Sequence, residues 1–279
     1  MSSVLPARPG AVIALLVLLL TACGDVTVTA GYPEFDLTGY WWWPDTTGFV
    51  AHRTLSIQEP VEGRLRIRLE ALSGSVAIVG EPGAGLMHLT AKLSVGSDTP
   101  EDAQAGLDHL GVTVTSLPDE IHVQTHQPGT FDGRHYAVDY TLHIPADREV
   151  LVTQTNGNIR MESIANAVSV DVMNGRVRLL GIIGDAIASV SNGDIDCSVT
   201  PQDGGEIMLS AVNGDIDLRI PTWTSAILSA FTSNGTIIRD NLNLSGVDQT
   251  ARSLNGILGS GSGAIVLETL NGNISISGF

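Results

Sequence analysis

The chain has 279 residues, a formal net charge of −16 and a single lysine, Lys92, beside thirteen arginines. This acidic balance argues against nucleic acid and anionic lipid as partners, because both would be repelled by the protein surface. The chain has two cysteines, Cys23 and Cys197. If Cys23 is modified, as argued next, no disulfide can form within the chain.

Residues 1–22 have the pattern of a bacterial export signal. Arg8 supplies the positive charge, and Ala11–Leu20 forms an apolar core that is too short to span a bilayer. The core ends in Leu20-Thr21-Ala22-Cys23, which resembles the lipobox of bacterial lipoproteins. The resemblance implies that Cys23 is lipidated and becomes the mature N-terminus, and that Gly24 favours the outer membrane in a bacterium with two membranes. Ordinary cleavage after an Ala-x-Ala-like site is the alternative.

Residues 23–52 are predicted to be a tether followed by an aromatic cluster, Trp41, Trp42 and Trp43. Three explanations remain open for this cluster. It could cover the open end of a repeat array, since aromatic side chains bury a large area each. It could also stack against a glycan, or anchor the chain at a membrane interface close to the lipid.

Residues 53–149 are predicted to form the irregular first part of a repeat fold. Apolar residues alternate on both sides of Ser73-Gly74, as they do in the later repeats. Pro100 and the two acids directly after it predict the start of a helical insert near residues 99–110. Further strands follow, and Pro145 ends the last of them.

Residues 150–279 contain seven Asn-Gly pairs at steps of 16 to 21 residues. Aliphatic residues recur at every second position on both sides of these pairs, which is the period of a strand with one buried face. Self-similarity at about 20 residues indicates stacked repeats. The pairs are Asn156 and Gly157, Asn174 and Gly175, Asn192 and Gly193, Asn213 and Gly214, Asn234 and Gly235, Asn255 and Gly256, and Asn271 and Gly272.

The pattern therefore predicts an all-β fold, a β-solenoid resembling a parallel β-helix, with coils of about 18–21 residues and one short helical insert. Each Asn-Gly pair would form a tight corner, because glycine and asparagine tolerate positive φ. The asparagine amides could then stack as a ladder along the fold. A meander of β-hairpins is the alternative, since an isolated Asn-Gly pair is typical of a two-residue hairpin turn.

The sequence has little that indicates catalysis. All seven histidines lie between His52 and His143, outside the regular repeats, and no metalloprotease, serine-nucleophile, phosphate-loop or dinucleotide motif is present. No cofactor and no confident metal site are predicted. We expect a protein that is not an enzyme.

One group of acidic residues is a candidate site. Asp194 and Asp196 share a strand face, and Asp215 and Asp217 repeat the pair 21 residues later. With coils stacked in chain order, the second pair would lie beside Thr236 and Ile238 and would have no basic neighbour. A divalent cation or a basic group of a partner would relieve this repulsion. A solvated charge ladder with Arg176 and Arg178, and a catalytic acid cluster, are the alternatives.

The layout from about Leu55 to Phe279 resembles the bacterial putative-adhesin family of Asn-Gly-repeat β-solenoid domains. The residues that carry the resemblance are the Ser73-Gly74-Ser75-Val76 turn, the insert at Pro100–Leu110, the Tyr140–Pro145 strand and the Asn-Gly repeats after it. The resemblance implies a β-solenoid and brings no catalytic residues with it.

Together these patterns predict a lipid-anchored, non-catalytic protein of the cell envelope that presents an extended surface for adhesion or interaction. The expected partners are the membrane, through the N-terminal lipid, and an envelope protein or glycan. A polysaccharide-active enzyme or a glycan-binding module that uses the outer face of the solenoid is the alternative.

Overall fold

The computed structural model describes residues 17–18, 26–30, 48–129 and 133–279. Cys23 and the cluster of Trp41, Trp42 and Trp43 lie outside the described residues. Of the predicted signal peptide, residues 1–22, only Val17–Leu18 is described.

The described residues form 23 strands and one helix. The first elements are β1 (Val17–Leu18), β2 (Val26–Ala30), β3 (Phe49–Pro60), β4 (Arg66–Ser73), β5 (Val76–Glu81), β6 (Leu86–Ser97), α1 (Pro100–Leu107), β7 (Gly111–Ser116), β8 (Glu120–His126) and β9 (His135–Pro145). Next come β10 (Glu149–Asn156), β11 (Ile159–Glu162), β12 (Val168–Asn174), β13 (Val177–Ile183), β14 (Ala186–Asn192), β15 (Ile195–Thr200) and β16 (Glu206–Asn213). The last are β17 (Ile216–Ile220), β18 (Ala226–Asn234), β19 (Ile237–Asp240), β20 (Leu244–Gln249), β21 (Ser253–Leu258), β22 (Gly263–Asn271) and β23 (Ile274–Gly278).

These strands form two long sheets, which confirms the all-β prediction. Sheet I has twelve strands in the order β1-β7-β8-β4-β10-β12-β14-β16-β22-β18-β21-β20. Sheet II has eleven strands in the order β19-β23-β17-β15-β13-β11-β5-β9-β6-β3-β2. Their central strands run parallel and in register, so that Val150 pairs with Val168, which pairs with Ala186.

The chain alternates between the sheets, and we call a strand of sheet I together with the following strand of sheet II a coil. In spatial order the coils are β8–β9, β4–β5, β10–β11, β12–β13, β14–β15, β16–β17, β22–β23 and β18–β19. This order differs from the order along the chain at both ends. The expectation that coils stack in chain order is therefore wrong for the first and last coils.

The hairpin β20–β21 explains why the last two coils, β18–β19 and β22–β23, stack in the reverse of their chain order. β21 pairs antiparallel with β18 and covers its outer edge. The following coil, β22–β23, cannot stack there and instead lies between β16–β17 and β18–β19, parallel to both.

The same hairpin corrects one predicted corner. Asn255 and Gly256 lie in the middle of strand β21, where Asn255 is opposite Ser229 in an antiparallel pair. They form no corner because the residues around them pair as a hairpin and not as a coil. The inward positions that this repeat would need, Gln249 and Ala251, are both exposed.

Antiparallel strands and the helix lie at the other end of the array. β6 and β3 extend sheet II beyond β9, and α1 packs against both of them. The helix begins as its sequence predicts, with Pro100 in the first turn and the Thr99 side chain accepting a hydrogen bond from the Asp102 backbone. β1, which lies within the predicted signal peptide, pairs with β7, so cleavage before Cys23 would leave β7 as the sheet edge.

The core is the layer of aliphatic side chains between the two sheets. The residue three positions after each corner asparagine is buried in every stacked coil, and Ile195 is 1% exposed. The buried members of this column are Ile159, Val177, Ile195, Ile216, Ile274 and Ile237. Cys197 lies in the same layer, where burial raises the pKa of its thiol.

Candidate functional site

Six asparagine side chains form a continuous ladder along the corners between the two sheets. The amide of each donates to the Oδ1 atom of the asparagine in the adjacent coil, at 2.8 or 2.9 Å. The order of the ladder is Asn156, Asn174, Asn192, Asn213, Asn271 and Asn234. Because every donor points the same way along the array, each interior asparagine both donates and accepts one ladder bond.

Glycine is required at the corners mainly because adjacent coils stack closely there, and less because the backbone has a positive φ. An added Cβ on Gly193 would lie 2.0 Å from the carbonyl oxygen of Gly175 in the adjacent coil. Gly193 has a φ of 142°, yet Gly272, which is not among the residues with positive φ, has the same close approach to Gly214. The sequence argument from positive φ alone was therefore incomplete.

Some buried polar side chains complete the hydrogen bonding of these corners. Gln154, Thr269 and Thr232 each stand two residues before a corner asparagine and point inward. Each donates to the carbonyl oxygen of the corner glycine in a neighbouring coil. Their position relative to the Asn-Gly pair is the signal that could have revealed this role in the sequence.

Asp196 and Asp217 of the candidate acidic site lie on adjacent strands of sheet II, whereas Asp194 and Asp215 lie in the corners directly before those strands. Asp196 pairs in register with Asp217 on neighbouring strands β15 and β17. The backbone N–H of Asp215 donates to Asp194 Oδ1 over 3.1 Å. The structure thus brings the four residues together on the corner side of the outer face of sheet II.

Asp194 is held by two donors. The Arg176 guanidinium lies 2.5 Å from its Oδ2 atom, and the Asp215 backbone reaches its Oδ1 atom. Partial burial alone would raise the pKa of Asp194, but these two hydrogen bonds outweigh it and hold the pKa below its usual value. Asp194 is therefore ionised at neutral pH.

Arg219 is the basic neighbour that sequence reasoning missed. Its Nη2 atom lies 3.6 Å from Asp217 Oδ2 and 3.8 Å from Asp196 Oδ1, so it stands between two acids of the site. Arg219 is two positions beyond Asp217 on the same strand face, a spacing that the sequence already contains.

The interleaved coil order also changes what lies on the far side of Asp215 and Asp217. The prediction placed Thr236 and Ile238 there, but Ser275 of β23 pairs with Asp217, and Asn273 donates its backbone N–H to Asp215 Oδ1 over 2.6 Å. Asp215 therefore has a hydrogen-bond donor that the chain order did not predict.

Two histidines outside the acidic site each contact one carboxylate. His143 contacts Glu81 over 2.7 Å, and His122 contacts Glu70 over 3.2 Å. Within residues 48–129 and 133–279, no group of three or more histidine, cysteine, aspartate or glutamate side chains is arranged to hold a metal ion.

Comparisons with known proteins come from sequence and from structure. A family model described as Toastrack DUF4097 matches residues 114–277. Among proteins with curated descriptions, none matches the chain.

Among solved structures, a putative cell adhesion protein from Clostridium sporogenes aligns at 11% identity and a TM-score of 0.48, covering 81% of this chain and all of that one (100%). A putative adhesin from Bacteroides fragilis aligns at 11% identity and a TM-score of 0.29, covering 81% of this chain and 97% of that chain. A putative lipid binding protein from Parabacteroides distasonis aligns at 13% identity and a TM-score of 0.23, covering 82% and 96%. TM-scores this low carry no functional weight.

Proposed function

This chain belongs to the Toastrack DUF4097 family, and we propose that it is a non-catalytic protein of the cell envelope whose β-solenoid presents an extended surface for adhesion or interaction. The observation that carries the proposal is the shared register of the parallel strands. Register places exposed side chains of adjacent coils in rows about 4.8 Å apart. A surface fixed in this way loses little conformational freedom on binding, which favours recognition over an extended area.

The electrostatics of the acidic site support a role other than catalysis. A pair of catalytic carboxylates needs one member that keeps its proton near neutral pH. Asp194 is instead held ionised by Arg176 and the Asp215 backbone, and Asp217 lies beside Arg219. These contacts fit a charged recognition surface better than an acid and base pair.

Anchoring at Cys23 completes the proposal. Export and lipidation there would tether the chain to a membrane of the cell envelope, with the outer membrane favoured in a bacterium that has two. No helix in the described part of the chain is both long and apolar enough to cross a membrane. Replacing Cys23 with Ser and fractionating cells tests the anchor: the wild type should partition with membranes and carry lipid mass, and the variant should not.

A binding and activity screen tests the proposed function itself. The full-length protein is applied to a glycan array and to immobilised envelope components, and in parallel to a panel of polysaccharides with release of reducing ends as the readout. We expect binding without release of reducing ends. Turnover of a polysaccharide that is abolished by Asp194→Asn or Asp217→Asn would overturn the non-catalytic proposal.

A glycan-binding module is the second candidate, and Trp223 favours it. This residue lies between β17 and β18 and is 70% exposed. An exposed indole is a suitable platform for the apolar face of a sugar ring. Glycan-array signal that Trp223→Ala removes, with the melting temperature unchanged, would support this function.

A further inference from the structure

We propose that the outer surface of sheet I over strands β12, β14, β16, β22, β18 and β21, which we call the apolar face, docks a partner protein segment with an apolar stripe flanked by lysine or arginine. The proposal deepens the interaction function proposed above by naming the surface and the kind of partner.

The apolar face consists of large hydrophobic side chains at positions where a solvated sheet normally carries polar ones. Ile227 is 58% exposed and Phe231 is 50% exposed. Ile187 pairs in register with Met208 on the neighbouring strand, and both are exposed. Val212 and Leu270 extend the face toward the corners, directly before the paired Asn213 and Asn271.

The other half of the same sheet looks quite different. There, the outward side chains of β4 and β8 are charged and paired, with Arg66 and Arg68 both beside Glu120. Exposed apolar side chains are therefore concentrated on one half of sheet I, and a contiguous surface of this kind indicates an interaction site.

Charge determines which partner fits. None of the six strands, nor β20 beyond them, contains a lysine, arginine or histidine. They do contain the exposed acids Asp171, Glu206, Asp248 and Glu268. Glu268 lies within the apolar rows, since it pairs in register with Ser210 on one side and Phe231 on the other. A partner must bury apolar surface and bring basic groups to these carboxylates.

A second copy of this chain fits less well. Six strands at about 4.8 Å spacing and about six residues of strand length give a face of roughly 500 Å². Two such faces would bury roughly 1,000 Å² in total, the low end for a specific interface. The acids of both copies would meet across the interface, and each chain carries a net charge of −16.

Strand addition at the edge of sheet I is also disfavoured. The edge strand β20 has an irregular register with β21 between Ser245 and Asp248, and Gly246 has a φ of 60°. Irregularities of this kind prevent an edge from pairing with another chain. The face, and not the edge, is the surface left for a partner.

The test uses the full-length protein and two synthetic probes. The first is an 18-residue amphipathic helical peptide with leucine on one face and lysine beside it, and the second replaces every lysine with glutamate. We expect the lysine peptide to bind at least tenfold more tightly than the glutamate peptide. The charge variant Glu206→Gln/Glu268→Gln should narrow this ratio at least threefold.

Two matched triple variants distinguish peptide binding at the apolar face from nonspecific hydrophobic binding elsewhere on the surface. Ile187→Ser/Met208→Ser/Phe231→Ser should weaken lysine-peptide binding at least tenfold. The control Leu65→Ser/Ile183→Ser/Ile238→Ser, which removes apolar side chains elsewhere that are at least as exposed, should stay within twofold of the wild type. Because all six residues are exposed, both triple variants should melt near the wild-type temperature.

Three results would overturn the proposal. The two triple variants could bind the lysine peptide equally. The wild type could sediment as a dimer that only the apolar-face variant dissociates, which would make a second copy the occupant. Vesicles of phosphatidylcholine could bind the wild type and not that variant, which would make the occupant a lipid surface.

The peptide assay runs in solution and does not depend on Cys23 or on glycans. If polysaccharide turnover overturned the non-catalytic function, the peptide assay would still test binding at the apolar face independently. Loss of peptide binding would likewise leave the envelope function to its own tests.

Discussion

The side-chain amide of Asn271 donates to Oδ1 of Asn213 over 2.8 Å, although the two residues are 58 positions apart in the chain. The next bond of the ladder runs from Asn234 back to Asn271. The ladder therefore follows the order of coils in space, and the asparagines joined in it are not always neighbours in sequence.

The asparagine ladder should contribute measurably to stability. Asn213→Ala removes one bond donated to Asn192 and one accepted from Asn271, each worth about 0.5–1.5 kcal/mol. We expect the free energy of unfolding, measured by urea denaturation, to fall by about 1–2 kcal/mol. Asn255→Ala is the control, because Asn255 lies outside the ladder and should change stability by less than about 0.5 kcal/mol. Equal losses in the two variants would show that the ladder adds nothing.

Because the corner glycines stack closely, substituting one of them should lower the free energy of unfolding more than removing a ladder asparagine does. Gly193→Ala places a Cβ 2.0 Å from the Gly175 carbonyl oxygen, and since this atom belongs to the backbone, the two coils must move apart. We expect a loss of about 2–4 kcal/mol in the free energy of unfolding. Gly85→Ala has open space and no positive φ, so it should be nearly neutral. A neutral Gly193→Ala would contradict the stacking geometry.

The core column predicts the effect of truncating one aliphatic side chain. Ile195→Ala should cost about 2–5 kcal/mol, because it leaves a cavity between the sheets. Ile183→Ala makes the same chemical change at a residue of sheet II that is 50% exposed, and it should cost less than about 1 kcal/mol. Chemical denaturation of both variants checks the inward and outward assignment. The assignment fails if Ile183→Ala is the more damaging change.

The lowered pKa of Asp102, in helix α1, should make the stability of the protein depend on pH. Hydrogen bonds from Arg134 and then from Ser97 lower the pKa of Asp102 from 3.8 to about 2. Because the folded-state pKa is lowered, this contribution to stability is present above pH 4 and is lost as the pH falls through about 2. Asp102→Asn should therefore flatten the pH dependence of the melting temperature in that window.

The matched control for this pH effect is Arg134→Gln. In that background the main donor to the carboxylate is gone, so adding Asp102→Asn should change the acid limb of the profile little. If Asp102→Asn has the same effect with and without Arg134, the pair does not cause the dependence.

The position of Arg219 leads to a prediction of how calcium binds at the acidic site. In the wild type its guanidinium lies between Asp196 and Asp217 and competes with any cation. Arg219→Ala should therefore raise calcium binding, and roughly 10 mM calcium should raise the melting temperature of this variant about 2–4 °C more than that of the wild type. The double variant Arg219→Ala/Asp217→Asn should lose this gain. Equal shifts in all three proteins would remove the cation site from consideration.

The sequence was sufficient to predict the strands and their buried faces, because both depend on local alternation. Ile159 and Val177 could be assigned inward from spacing alone, and they pair in register in the structure. The strand order could not be derived in this way. A coil and a hairpin have the same period of two, so Asn255 resembled a corner. The polar residues Gln249 and Ser260 in its inward columns were the signs that it is not one.

The neighbours of the candidate site were harder to predict for the same reason. Whether Asp215 lies beside Thr236 or Asn273 depends on which coil stacks next, and this is decided by pairing between distant segments. Arg219 was within reach of a sequence argument, since it shares a strand face with Asp217. Part of the apolar face was also within reach, since Ile187 and Met208 each stand five positions before a corner asparagine. The pairing of Phe231 with Glu268 was not, because it depends on the interleaved coil order.

The interleaved coil order sets when folding can finish. β18–β19 precedes β22–β23 in the chain but lies outside it in space, so residues 226–240 have no neighbouring parallel coil until residues 263–278 have been synthesised. The late segment then pairs with the earlier coils β16–β17 and β18–β19 on its two sides. Deleting it would remove an interior layer and not an end: β18 would keep only its antiparallel partner β21, and β19 would lose its one strand partner in the described sheets.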